Sequence, residues 1–434
     1  MSGLAKHLLF ENYTVMGSDL YLSDKTAELE KLGAKIHHGH KRENLEDADC
    51  LIYTSAVKSD NPELEEARRR GIPVVKRSRL LGDITARYKN SIAVAGSHGK
   101  TTATAMISSV LVQAEKDPTV FLGGDVEEYA NYRHGKSDTV VLEACEYEKN
   151  ILDIKPKIAV VLNIDDDHMD CYKNMKEMVC TFREFSRNSL TFVNADDKHA
   201  SDVFNSTTIT FGIDKLSNYQ ARYVKKTSSG YSFSVYSCSK NIGRINLKIM
   251  GKHNIYNALC AVAVCDTLGV RFSVIRRALE SFLGVKRRNE YLGKAFGLNV
   301  YADYAHHPRE IDATLSAYSE NGNDYLTIFQ PHTYSRTKIL MDEFVQVLSK
   351  VNPLVIYKEY PAREKFDESA SARALYDNIK SKAEKGVFYA DSYKDLNKIL
   401  KTASPDIKRV LFLGAGDIYE IAKSAVDANG YKPN

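Results

Sequence analysis

Short apolar runs recur along the chain, each followed by a longer polar or amphipathic stretch. Tyr13-Thr14-Val15-Met16, Asp49-Cys50-Leu51-Ile52-Tyr53 and Ile72-Pro73-Val74-Val75 open the pattern. Runs at 92–95, 139–142 and 158–164 continue it, and it resumes at 298–302, 325–329, 354–357 and 410–413. Runs this short and uniformly apolar predict strands covered on both faces, as in parallel sheets. Strand alternating with helix predicts an α/β fold. No repeat with a period of about 20–50 residues appears, which excludes solenoids and propellers.

Length divides this pattern. At roughly 150 residues per domain, 434 residues predict two to four domains, and three blocks fit: 1–87, 88–285 and 286–434. The first ends near the basic stretch Lys76-Arg77-Ser78-Arg79, read as a solvated linker. The second opens with the strand at 92 and runs through a more β-like region near 205–250. The third follows the basic linker Gly284-Val285-Lys286-Arg287-Arg288.

Composition narrows the class. With 43% apolar and 27% charged residues the chain reads as soluble and globular. Sixty basic against fifty-six acidic residues leave a net charge of +4, too weak and evenly spread to argue for nucleic acid. No apolar run approaches the roughly 18 residues of a membrane span, and no apolar stretch behind a basic head follows Met1. Seven cysteines without a CxxC pair argue against a zinc ribbon or a disulfide framework. A cytoplasmic, multidomain protein is expected, a monomer or homodimer with no membrane and no nucleic-acid partner.

The candidate chemistry begins after the strand at 92. Gly96-Ser97-His98-Gly99-Lys100-Thr101-Thr102 precedes a helical run. Glycines let backbone N–H groups turn onto phosphate oxygens, and the helix N-terminus adds its dipole. Lys100 would reach the terminal phosphates and Thr101 would offer a hydroxyl to Mg²⁺. A ligand-free strand–helix turn is the bland alternative, disfavoured by the Gly-Lys-Thr-Thr ending. Glu143 ends the strand at 139–142, where ligands sit in open α/β sheets. The strand at 158–164 leads into Asp165-Asp166-Asp167-His168-Met169-Asp170. Glu143 and His168 converge beside Thr101 if the three strands are neighbours, with oxygen donors suiting Mg²⁺. The alternative is that the aspartates cap the next helix and His168 is a hydrogen-bonded core group.

These motifs in this order resemble the Mur ligase family. Gly96–Thr102 is similar to that family's ATP loop, Glu143-Ala144-Cys145-Glu146 to its acidic metal segment, and Asn163-Ile164 with Asp167–Asp170 to its second metal segment. Gly251-Lys252-His253-Asn254-Ile255-Tyr256-Asn257-Ala258 resembles its His-Asn-x-x-Asn signature, and Arg287-Arg288 its domain-linking pair. Asp303-Tyr304-Ala305-His306-His307-Pro308-Arg309 and Phe329-Gln330-Pro331-His332-Thr333-Tyr334-Ser335-Arg336 resemble the branch that joins L-alanine to the carboxylate of UDP-N-acetylmuramate. Gly414-Ala415-Gly416-Asp417 agrees with that branch, and by itself reads as a helix-start turn.

The resemblance implies three domains: a Rossmann-like UDP-binding one, a central P-loop ATPase with a mostly parallel sheet, and a Rossmann-like C-terminal one. It implies ATP and Mg²⁺ as cofactors and an acyl phosphate as intermediate. Gly96, Ser97, His98, Gly99, Lys100, Thr101, Thr102, His253, Asn254, Asn257 and Arg288 are expected at ATP, and Thr101, Glu143 and His168 at the metal. Lys100, His168, Arg288, His306 and His332 are the expected catalytic group, with a histidine of near-neutral pKa taking the ammonium proton. Ser18, Asp19, Ser55, Asp303, Tyr304, His306, His332 and Arg336 are expected at the substrates. Gly39-His40 and Asn44 are expected near the nucleotide sugar, although His37-His38-Gly39-His40 by itself reads as a solvated loop. Closure around the substrates is expected before chemistry. Two other readings stay open: a relative that adds a preformed peptide, and an ATP-binding relative that no longer ligates.

Two departures from the family pattern stand out. The family's His-Arg-Tyr-x-Arg is His332-Thr333-Tyr334-Ser335-Arg336 here; Arg336 remains, and substrate anchoring is expected to be weakened or rerouted through another cation. At the start, Ser2–Phe10 reads as a helix with Ser2 as N-cap, and the strand and Gly-rich turn that precede it in the family are missing. A start placed too late is the expected cause.

Overall fold

The computed structural model describes residues 1–165, 171–227, 230–319, 324–362, 364–383 and 386–429. His168, with Asp166, Asp167, Met169 and Asp170, lies outside them. Contacts divide the chain into two compact units, 1–248 with 253–283, and 249–252 with 284–434.

The first unit begins with α1 (Ser2–Phe10), β1 (Met16–Asp19), α2 (Asp24–Lys31), β2 (Lys35–His38), β3 (Leu51–Tyr53), α3 (Pro62–Arg70), β4 (Val74–Lys76) and α4 (Arg77–Thr85). Parallel pairs β1–β2 and β3–β4 form two separate two-stranded sheets. Four sequence expectations change here. The Tyr13–Met16 run is strand only at its end, because the Tyr13 N–H closes α1 onto the Leu8 carbonyl and bonding to β2 begins at the Val15 carbonyl. His37 and His38 belong to β2, paired with Ser18 and Asp19, rather than to a loop. Lys76–Arg79 is no linker, since β4 runs directly into α4. Ser2 is not the cap of α1. Met1 holds that position, and the Ser2 hydroxyl accepts from Asn131 Nδ2 at 2.8 Å.

The unit continues through β5 (Asn90–Ala95), α5 (Lys100–Gln113), β6 (Thr119–Val126), β7 (Ala130–Arg133), β8 (Thr139–Glu143), β9 (Ile158–Val161), α6 (Met175–Ser186), β10 (Leu190–Asn194), β11 (Thr208–Gly212), β12 (Tyr219–Lys226), β13 (Tyr231–Ser237), β14 (Lys240–Leu247), α7 (His253–Thr267) and α8 (Phe272–Ser281). Among the described residues these strands form one sheet in the order β14-β13-β12-β11-β10-β9-β5-β8-β6-β7, parallel from β12 to β6 and antiparallel at both ends. Ile92, Ala93, Val94 and Ala95 of β5 are fully buried, which explains their unbroken apolar run.

The second unit is built from β15 (Glu290–Ala295), β16 (Leu298–Asp303), α9 (Pro308–Ser319), β17 (Tyr325–Phe329), α10 (Tyr334–Ile339), α11 (Met341–Leu348), β18 (Leu354–Tyr357), α12 (Ala372–Lys382), β19 (Val387–Ala390), α13 (Tyr393–Lys401), β20 (Arg409–Leu413) and α14 (Ile418–Asn429). Its sheet runs β15-β16-β20-β17-β18-β19 and is parallel except for β15. Alternation sorts each strand between two cores: Tyr325 and Phe329 enter one, Leu326 and Ile328 the other. Helices therefore cover both faces.

Candidate active site

The loop between β5 and α5 is held from behind by the end of β9. Asn163 accepts from the His98 N–H at 2.8 Å through Oδ1 and donates Nδ2 to the His98 carbonyl at 3.0 Å. Its own carbonyl accepts from the Ser97 N–H. The Ser97 hydroxyl accepts from the Asp165 N–H at 2.9 Å, and His98 Nε2 lies 3.4 Å from the Asp165 carboxylate. Strand β9 stops at Val161, short of the expected Ile164, because this backbone turns to the loop.

Gly99 sits at φ +82°, and a Cβ there would stand 2.7 Å from Asn257 Oδ1. Both facts demand glycine. Asn257 in turn donates to Asn254 Oδ1 at 2.9 Å, so the His253–Asn257 segment of α7 backs the loop. Lys100 opens α5, with Thr101 and Thr102 in its first turn.

The Lys100 ammonium donates to the Gly96 carbonyl at 2.5 Å, the Ser97 carbonyl at 3.1 Å and Glu146 Oε1 at 3.0 Å. Burial alone pulls its pKa down, but the carboxylate of Glu146, with Cys145 and Glu143, outweighs that and the net shift is upward. Lys100 is therefore charged at neutral pH. Beside it, the Thr101 hydroxyl donates to Glu143 Oε2 at 3.0 Å, and Glu143 Oε1 accepts the Gly123 N–H. This hydroxyl–carboxylate pair is an all-oxygen donor set, which fits Mg²⁺. The structure brings Thr101 and Glu143 together.

In the N-terminal part, Glu63 organises a polar cluster. Its carboxylate accepts from the Ser18 hydroxyl at 2.8 Å and from Asn44 Nδ2 at 2.7 Å, and Ser18 also meets His40 Nδ1 at 2.9 Å. Asp19 follows Ser18 on β1 and accepts from the Tyr21 N–H. Ser55 meets Asn150 instead, at 3.5 Å.

In the second unit, Asp303 ends β16 and accepts from the Asn289 and Ala305 N–H groups at 2.7 and 2.8 Å. Burial raises its pKa, opposed by Arg288 and those two bonds. The Arg288 guanidinium lies over the Tyr304 ring, 5.4 Å from its centre. His306 and His332 meet edge to face at 6.0 Å, and His332 stacks on Tyr360. His306 Nδ1 is 2.9 Å from the Tyr304 carbonyl, whereas His332 Nδ1 is 3.0 Å from an Arg336 nitrogen. Burial, then the Arg336 cation, then His306 pull His332 down to about 4, so it lacks the near-neutral pKa expected of a proton acceptor. Gln330 fixes the Gly414–Asp417 turn, accepting from the Ile418 N–H and donating to Asp417. That segment is the helix-start turn expected.

The sequence matches the Mur ligase family catalytic domain over residues 1–89, the Mur ligase middle domain over 94–265 and the Mur ligase glutamate ligase domain over 287–416. The UDP-N-acetylmuramate–L-alanine ligase of Acetivibrio thermocellus is 40% identical, over 98% of this chain and 92% of that protein. The chain belongs to the Mur ligase family.

Other Mur ligases agree. The UDP-N-acetylmuramate–L-alanine ligase of Caldanaerobacter subterraneus is 42% identical over 99% of this chain and 95% of that one. The crystal structure of the UDP-N-acetylmuramate–alanine ligase MurC from Thermotoga maritima superposes with a TM-score of 0.84 at 32% identity, covering 99% of this chain and 96% of that one. A murein peptide ligase from Psychrobacter arcticus shares the fold, with a TM-score of 0.72 at 22% identity over 100% and 97% of the two chains.

Three residues of this Mur ligase carry more than their motifs suggested. Glu146 and Asn163 hold the loop and its lysine, and Glu63 organises the Ser18 cluster. Glu146 and Asn163 follow strand ends, where α/β sheets place functional groups, a signal the sequence does carry. Nothing local marks Glu63. Thr333, the departure from the family pattern, has a task of its own: its hydroxyl accepts from the Arg336 N–H and caps α10. Thr333→Arg is therefore expected to cost about 0.5–2 kcal/mol of stability through the lost cap. A thermal melt checks this, and an unchanged Tm would show that the cap contributes nothing.

Proposed function

We propose that the protein is an ATP-dependent amide ligase that joins L-alanine to the carboxylate of UDP-N-acetylmuramate in peptidoglycan precursor synthesis. Full-length identity of 40% to a relative bearing that activity is the observation that supports it. Residues 1–87, 88–285 and 286–434 serve the nucleotide sugar, ATP and the amino acid respectively. The enzyme acts in the cytoplasm as a monomer or homodimer, with neither nucleic acid nor membrane as partner. Among the described residues no helix is long and apolar enough to cross a membrane.

Water opposes amide formation from a free carboxylate. Transfer of the terminal phosphoryl group of ATP to the substrate carboxylate makes an acyl phosphate; the amine then attacks its carbonyl and inorganic phosphate leaves. The N–H groups of the first turn of α5 face phosphate oxygens, and Lys100 balances their charge. Gly96, Ser97, His98 and Thr102 shape that cradle, His253, Asn254 and Asn257 back it, and Arg288 supplies a second cation. Thr101, Glu143 and His168 would hold Mg²⁺, which would supply positive charge against the phosphoryl oxygens. Ser18, Asp19 and Ser55 contact the nucleotide sugar.

Asp303, Tyr304, His306, His332 and Arg336 place the amino acid, and the two histidines have opposite polarity. A carbonyl can only accept, so His306 carries its proton on Nδ1 and presents Nε2 as a base. A guanidinium can only donate, so neutral His332 carries its proton on Nε2. These tautomers are assigned from the partners. His306 takes the ammonium proton of the amino acid.

Phosphate release should require UDP-N-acetylmuramate and an amino acid together, with L-alanine faster than glycine. The margin over glycine is modest, because one methyl group in a pocket gives about 1–3 kcal/mol of discrimination. Equal rates with D-glutamate or a tripeptide would reject this reading in favour of another branch. ATP hydrolysis indifferent to both substrates would indicate a chain that no longer ligates.

A further inference from the structure

Away from the loop, α1 lies against the outer edge of the large sheet, where β7 is the end strand. Three groups of metal-binding chemistry meet there. A ring nitrogen of His7, one of His134 and a carboxylate oxygen of Glu11 all lie within 4.8 Å of one another. His7 and Glu11 are four residues apart at the end of α1, on one helical face, and His134 directly follows β7.

The two rings are already oriented. The Tyr132 hydroxyl is 3.0 Å from His7 Nδ1 and 3.1 Å from His134 Nδ1. Phe10 stacks on His134 with centroids 5.0 Å apart, and His7 packs edge-on against Phe121. Among the described residues the Glu11 carboxylate takes part in no hydrogen bond or ion pair and is exposed, so it can swing toward the rings. Histidine rings held by a hydroxyl, with a carboxylate at hand, form a preset donor group rather than a chance surface cluster.

We propose that His7, Glu11 and His134 form a site for a Zn²⁺-class transition-metal ion that clasps α1 to the edge of the central sheet. Two imidazole nitrogens and one carboxylate oxygen suit Zn²⁺, with water as fourth ligand, whereas Mg²⁺ prefers oxygen alone. Bonds of about 2.0–2.2 Å require the donors to close in, and the exposed Glu11 supplies that movement. Tyr132 is a positioning residue that fixes both rings. The ion stabilises the packing of α1 and takes no part in the ligase chemistry, so the site stands or falls independently of the ligase reading.

The test is a Co²⁺ titration of the full chain in excess Mg²⁺, followed by visible ligand-field absorption and reversed with Zn²⁺. One ion per chain with the intense bands of four-coordinate Co²⁺, displaced by Zn²⁺, is expected. Glu11→Gln lies on the surface and leaves the core untouched; it and His134→Ala should each weaken binding by at least tenfold, and Tyr132→Phe by about 10–100-fold. In thermal melts Zn²⁺ should raise the Tm of the parent chain but not of Glu11→Gln. No four-coordinate bands, or bands and Zn²⁺ shift unchanged in both ligand variants, would overturn the proposal and leave a hydrogen-bonded His–Tyr–His contact.

Discussion

Lys100→Met is expected to abolish ligase turnover and to lower the melting temperature as well. The first effect follows from charge: the Lys100 ammonium sits at the loop, and losing such a group costs at least about 10³-fold in kcat. The second follows from burial. Glu146 is fully buried and the Lys100 side chain is 17% exposed, and removing one partner of a buried ion pair costs about 3–5 kcal/mol. The double variant Lys100→Met with Glu146→Gln separates the two roles. It should regain most of the lost Tm, because the carboxylate left without Lys100 is neutralised, yet remain inactive. Turnover restored in the double variant would remove Lys100 from the chemistry and leave it a structural cation.

His306→Gln is expected to lower kcat by about 10²–10⁴-fold, the usual loss when a general base is removed. His332→Gln should cost less, because its amide can still donate where the Nε2–H did. The pH profile gives the sign. Burial draws the His306 pKa below the 6.5 of a free imidazole, against the pull of Glu310. A base must be unprotonated to act, so activity is present above that pKa and is lost as pH falls through it. The acid limb of kcat should thus lie below pH 6.5 and vanish in His306→Gln. An unaltered limb in that variant would return the proton transfer to another group.

Fold class was legible because buried parallel strands leave uninterrupted apolar runs; β5, β17, β18 and β20 stand nearly where those runs do. Strands escaped when they were half exposed. The β2 residues Lys35-Ile36-His37-His38 are polar because only one edge is paired and none of the four is buried. The reverse error came at Tyr13–Met16, a run whose start closes a helix and whose end alone enters β1. In the site, residues with a distinctive neighbourhood, such as Gly99-Lys100-Thr101, announced themselves. Glu63 did not, since its partners Ser18, His40, Lys41 and Asn44 come from β1 and from the segment after β2. Histidine polarity was equally hidden, because it depends on which atom, carbonyl oxygen or guanidinium nitrogen, faces each ring.

The sheet order has a consequence for biosynthesis. Strand β5 carries the ATP loop, yet both of its neighbours, β8 and β9, are downstream, and so is Asn163, which clamps His98. As the ribosome extends the chain, β5 waits as an unpaired apolar segment through the synthesis of α5, β6 and β7. Long-range pairing of this kind is slow and leaves strand edges exposed meanwhile. A nascent chain that ends before Asn163 carries the loop's sequence without its shape, so nucleotide binding is acquired late in translation, when β9 docks.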